Sequence, residues 1–113
     1  MKTFLAIYTG TPNPDGGPPP MDPKDMAAGM QAWGDWMARH AGDIEVTGGP
    51  LGRTKKVSKA GVADIRNNAS GFVVVRAESQ DAAAKMFEGH PSFSIFPGEG
   101  VEIMEVLPIP TGP

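Results

Sequence analysis

The chain has no cysteine, two histidines and one tyrosine in 113 residues. Without thiols it can form neither a disulfide framework nor a thiolate nucleophile, which fits a reducing compartment and makes the cytoplasm the expected location. With so few histidines, Asp and Glu would have to supply most ligands of an all-protein zinc or iron site, so no metal and no cofactor is expected. No apolar run approaches the roughly 20 residues that cross a bilayer. The apolar stretch after Met1-Lys2 ends at Thr9-Gly10, so neither a signal peptide nor a membrane span is expected. A net charge of -3 and a pI near 5.2 give no general attraction to phosphate backbones or anionic lipid, and nucleic acid is not an expected partner.

What is there reads as a folded chain. A hydrophobic fraction of 40% beside 20% charged residues is ordinary for a globular protein, and the length suits one domain over residues 1–113. Lys2 to Thr9 is a short run rich in β-branched and aromatic residues closed by Gly10, the pattern of a strand covered on both faces. From Gly10 to Met21, five prolines and Gly16-Gly17 exclude helix and ladder, which predicts a mobile surface loop.

Asp22-Pro23 with Asp25 marks a helix start that should run to Ala41. Met26, Met30, Trp33 and Met37 form its expected buried stripe, and Gly42 is the expected left-handed stop. Asp43 to Thr47 alternates at period two and ends at Gly48-Gly49-Pro50, a second strand. Leu51 to Ser70 reads as basic and irregular, with Thr54 to Val57 extended and Asn67-Asn68 a turn. Gly71 to Ala77 is the strongest strand. Ser79-Gln80-Asp81 caps a short helix through Met86-Phe87 that stops at Gly89, and Val101 to Leu107 is the last strand, halted by Pro108.

The order strand, helix, strand, strand, helix, strand predicts an α+β, ferredoxin-like βαββαβ sandwich with both helices on one face. The strands nevertheless put apolar residues on both faces: Phe4, Ala6 and Tyr8 against Leu5 and Ile7, Phe72 and Val74 against Val73 and Val75. A second copy is the simplest cover for the other face, so a homodimer with a barrel-like core is expected.

Ala32-Trp33-Gly34-Asp35-Trp36-Met37 and Gly48-Gly49-Pro50-Leu51-Gly52 are similar to stretches of the YCII-related (DGPF) family, the second resembling its GG-x-PLG without the intervening residue. Lys56-Val57, Gly61-Val62, Glu78 to Ala83 and His90-Pro91 continue the likeness. Asp64 falls at the Asp of the family's Asp-Gly-Pro-Phe motif, but Ile65-Arg66-Asn67 replace its last three residues. The resemblance implies a dimeric α/β barrel and, for a few members, acid/base or hydrolytic chemistry from an Asp/His pair, here Asp64 and His90.

Histidine has an unperturbed pKa near neutrality, and His90 sits between a helix end and a Pro-fixed turn, where it is either a general acid/base presented to a pocket or a cation at the carbonyl end of the second helix. Asp64 is its candidate partner, or an exposed Asp making its own turn. Tyr8, Trp36 and Arg53 are the candidate ligand contacts. Trp36 lies off the methionine stripe, where it edges a pocket or the dimer seam, and Arg53 belongs to a basic segment that either holds an anionic ligand or is a solvated loop. His40 in the last turn of the first helix is favourable there as a cation alone. Two functions follow: a homodimer with a pocket for a small organic molecule, with or without acid/base catalysis, or a non-catalytic protein-interaction or regulatory module.

Overall fold

The computed structural model describes residues 1–10 and 21–110, so the loop expected over 10–21 and its mobility lie, apart from its ends, outside the described residues. Four strands form the main antiparallel sheet: β1 (Lys2–Thr9), β2 (Ile44–Pro50), β5 (Ala69–Ala77) and β6 (Gly100–Glu105), in the order β2-β5-β1-β6. The two central strands are those whose sequences are apolar at nearly every position. β1 pairs with β5 from Lys2↔Ala77 to Thr9↔Ala69 and with β6 from Phe4↔Glu105 to Thr9↔Gly100. With α1 (Pro23–Arg39) after β1 and α2 (Gln80–Met86) after β5, this is the expected ferredoxin-like α+β arrangement.

Both helix starts obey the capping chemistry in the sequence. Asp22 accepts from the Lys24 amide with Pro23 at the first helical position, and the Ser79 side chain accepts from the Ala82 amide. The C-terminal end of α1 differs from expectation. It stops at Arg39 with His40 as its cap and runs into a single 3-10 turn, Ala41–Asp43, so Gly42 is not in the left-handed region. Gly89, by contrast, takes φ +68 after α2, as a stopping glycine should.

The buried face of α1 is also rotated from the methionine stripe. Gly29 and Trp36 are its buried residues, while Met30 is exposed. Trp36, 1% exposed, joins Phe4, Ala6, Tyr8, Val73, Val75, Ala83 and Phe87 in the core between the helices and one face of the sheet, and its indole N–H donates to the Met86 carbonyl at 2.7 Å. A buried tryptophan with a satisfied N–H is a packing residue. Trp36 therefore does not edge a pocket, which corrects the expectation for it.

The largest departure lies between β2 and β5. The extended stretch expected at Thr54 to Val57 is strand Thr54–Ser58 (β3), but it pairs with an unexpected strand, Gly61–Ile65 (β4), as a separate antiparallel hairpin, with Lys55↔Asp64 and Val57↔Val62 opposite each other. Its foot is tied to the main body where the Gly10 amide donates to the Asn68 carbonyl (3.0 Å) and the Leu51 amide to the Ser70 carbonyl (2.9 Å). A third helical turn, α3 (Pro91–Ser94), precedes β6. Among the described residues no helix is long and apolar enough to cross a membrane.

Candidate functional site

Where β1 and β2 end and β5 begins, the sheet opens into a cleft of ≈ 1270 Å³. Its floor is Tyr8, Thr9 and Gly10 of β1 and the first residues of β5; one wall is the second apolar stripe of α1, namely Met30, Trp33, Gly34 and Met37. Opposite stand the end of β2 and the turn after it, from Thr47 to Thr54, with Arg53 among them. The foot of the hairpin, Asp64 to Asn67, and the Phe96-Pro97-Gly98 segment close the rim.

Two glycines shape this place. At Gly48 the backbone is left-handed, φ +68, and a Cβ would run into the Phe72 carbonyl, so β2 approaches β5 as closely as it does because no side chain intervenes. At Gly29 a Cβ would sit 2.6 Å from the Phe96 ring, so the bare helix surface lets Phe96 lie against α1 beside Trp33. Trp33 is in turn edge-on to Tyr8 (4.9 Å between ring centroids), His90 (4.7 Å) and Phe96 (5.8 Å). The tryptophan that faces the cleft is thus Trp33, the one whose spacing pointed to the core.

His90 lies behind that wall. It is 1% exposed, ringed by Tyr8, Trp33, Trp36 and Phe87, and does not itself line the cleft. Its Nδ1 accepts from the Ser92 backbone N–H at 3.0 Å, which makes it the cap of α3, and lies 3.0 Å from Ser92 Oγ. An acceptor at Nδ1 leaves the ring proton of the neutral form on Nε2, and Nε2 has no partner among the described residues. Burial, with a smaller contribution from His40, pushes the His90 pKa down to about 4. The imidazole is therefore neutral near pH 7, and the alternative of a cation at the end of α2 is corrected: the side chain serves the start of the next helix. His40 also has a lowered pKa, from burial first and Arg39 second, so the helix-end cation expected there is disfavoured as well.

Asp64 and His90 are not brought together within the chain. Asp64 sits on the exposed hairpin, where its Oδ1 accepts from Lys55 Nζ at 2.7 Å, while the side-chain partner of His90 is Ser92. The residues that sequence reasoning missed are Trp33, Phe96 and Ser92. Ser92 lines the cleft and touches His90, so it connects the two regions. Tyr8, a candidate ligand contact, lies in the cleft floor, and burial raises its phenol pKa, so it stays a hydroxyl donor. Arg53 also lines the cleft. Among the described residues no three of His, Cys, Asp or Glu are grouped to hold a metal ion.

Set against known proteins, the chain matches no family model and no curated protein. Its fold is similar to that of 5-chloro-2-hydroxyhydroquinone dehydrochlorinase (TftG) from Burkholderia phenoliruptrix AC1100, solved in complex with 2,5-dihydroxybenzoquinone, with a TM-score of 0.54 and 17% sequence identity over 90% of each chain. At that identity the likeness carries the fold. The resemblance to the YCII-related family accordingly rests on this shared architecture and on the motifs quoted above.

Proposed function

We propose that the protein is a homodimeric domain that binds a small, planar, oxygen-bearing organic molecule in the cleft beside Trp33. The observation that carries this reading is the composition of the cleft: Trp33 and Phe96 offer ring faces and edges, Tyr8 and Ser92 offer hydroxyls, and Arg53 offers the single arginine cation on the turn after β2. Such a mixture of apolar wall and few polar groups fixes the orientation of a flat ligand that carries acceptor oxygens. The ligand of the dehydrochlorinase, a dihydroxylated quinone, is of that chemical kind.

In this reading any proton exchanged with the ligand passes through Ser92 or Tyr8, which line the cleft, and His90 acts behind Ser92. An Asp64–His90 acid/base couple is not part of it. The second copy covers the open face of the sheet, where Leu5, Ile7, Phe72 and Val74 are only half-buried and Val46 and Met104 are exposed. A reducing, cytoplasmic setting belongs to the same proposal, on the absence of cysteine.

The test is a fluorescence titration of the full chain with 2,5-dihydroxybenzoquinone and simple hydroxybenzoates. Quenching that saturates, and is lost in Trp33→Leu but kept in Arg39→Gln, supports the cleft. Saturable binding that survives Trp33→Leu with unchanged affinity, or no binding of any planar oxygenated ring, rejects it.

A further inference from the structure

We infer that the β3–β4 hairpin is an arm received by a second copy of this chain, and that the rim of the cleft is incomplete until the arm is seated. The inference rests on the homodimer proposed above and adds where the second contact lies.

An isolated two-stranded hairpin is marginally stable in water. This one belongs to no larger sheet, every residue of β4 is exposed, and in β3 only Thr54 is half-buried. Yet its opposed pair is Val57 and Val62, 77% and 66% exposed, on the face it shares with Lys55 and Asp64. Two valines paired in the open on an arm without other support are a surface that needs a partner.

Charge points to what the partner is. Residues 53–66 carry Arg53, Lys55, Lys56, Lys59 and Arg66 against Asp64 alone, and the rest of the chain carries five basic against twelve acidic residues. A second copy therefore offers the acidic surface that a basic arm fits. The open face of the main sheet is the matching region. Glu102 stands opposite Ile7 on that face, Glu45 lies over it and accepts from the Thr3 hydroxyl at 3.2 Å, and the cation there, Arg76, is turned to the Gly42 carbonyl. Beside these acids, Val46 and Met104 are apolar and exposed, as are Val106 and Leu107 after β6. One second copy thus covers the sheet face, the hairpin valines and the segment after β6 together. The site is involved because Asp64, Ile65 and Arg66, at the foot of the arm, are part of the cleft rim. Holding the arm fixes that rim.

The experiment compares the wild-type chain with the Val57→Lys, Val62→Lys double variant and with Met104→Lys. Sedimentation gives the dimer dissociation constant, and circular dichroism checks the fold. Trypsin cutting after Lys56 and Lys59, with amide exchange at Ile65 to Asn67, is followed from dilute to associated protein. The expected result is a wild-type dimer in which cutting and exchange slow at least tenfold as dimer forms, and a double variant that dimerises at least tenfold more weakly with an unchanged spectrum. If the wild-type protein dimerises, Met104→Lys weakens it, and the hairpin is nonetheless cut equally fast at every concentration, the arm is solvent-exposed and the inference falls while the dimer stands. Protection already complete in the monomer would show the arm covered by its own chain and also overturn it. A wild-type protein that is monomeric at all concentrations removes the dimer and the arm together.

Discussion

The two faces of the main sheet are made from alternate residues of the same strands, and they end in different surroundings. Phe4, Ala6, Val73 and Val75 are buried beneath α1 and α2, whereas Leu5, Ile7, Phe72 and Val74, one position away in each case, remain half-buried. In sequence the two sets are equally apolar. The difference is topological, because two right-handed crossovers of the same kind place both helices on one side. A sequence therefore states how much surface wants burial, and the fold decides how much of that a single copy supplies.

The comparison breaks most readily on the covered side. Trp36→Ala removes the largest fully buried side chain and leaves the Met86 carbonyl without its donor. It is expected to cost about 3–5 kcal/mol in denaturant unfolding, with the slope against denaturant unchanged. A loss below about 1 kcal/mol would mean that Trp36 is not in the core.

His90 comes next, because its burial has a pH signature. The unfolded residue takes up a proton near pH 6.5 and the folded one only near 4. Between those values the unfolded chain binds more protons, so the contribution of His90 is complete above about pH 6.5 and is lost as pH falls toward 4, by about 3 kcal/mol in all. The groups that face it are Tyr8, which stays protonated throughout, and His40, whose own pKa is lowered and which adds a smaller slope of the same sign. His90→Gln keeps an acceptor for the Ser92 amide and should flatten most of the slope. A slope unchanged in His90→Gln assigns the pH dependence to other groups.

On the open side the expected effects are small in one copy. Met104→Ala should change the unfolding free energy of dilute monomer by no more than about 0.5 kcal/mol, since the residue is already 43% exposed on the sheet surface. The same variant should lose stability against wild type as concentration rises, because only the associated state buries the residue. Equal behaviour at all concentrations would place Met104 outside any interface.

These contrasts also explain what could be read in advance. The four main strands and the helices α1 and α2 were legible because their signals are local: period-two apolar runs, Asp22-Pro23, Ser79, and Gly89 before Pro91. Of the hairpin only the extended stretch at Thr54 to Val57 was legible; β4 and the pairing were not. Two of its pairs, Lys55↔Asp64 and Lys56↔Ala63, are residues of weak strand preference, and its two-residue turn is Lys59-Ala60 rather than an Asn-Gly type. On α1 two apolar stripes lie side by side, and methionine spacing marked the one that faces the cleft, so the roles of Trp33 and Trp36 were exchanged. His90-Pro91-Ser92 repeats the pattern of Asp22-Pro23-Lys24, a side-chain acceptor followed by proline at the first helical position. That parallel was the available sign that His90 is a cap, and it went unread because histidine is uncommon in the role.

The smallest effect expected is also the one that separates the sequence motif from the geometry. Asp64 and Lys55 form an exposed ion pair, of the kind that contributes between nothing and about 1 kcal/mol, so Asp64→Asn should shift stability only slightly. The informative quantity is its coupling to His90. If the two acted as an acid/base couple, through one chain or between two, the double variant Asp64→Asn, His90→Gln would depart from the sum of the single changes. With His90 enclosed by four aromatic rings and bonded to Ser92, and Asp64 held on the hairpin by Lys55, the free energies should add to within about 0.3–0.5 kcal/mol at pH 5 and at pH 8. A coupling above about 1 kcal/mol in the associated protein would bring the two residues into one network across copies and restore the motif as the working pair.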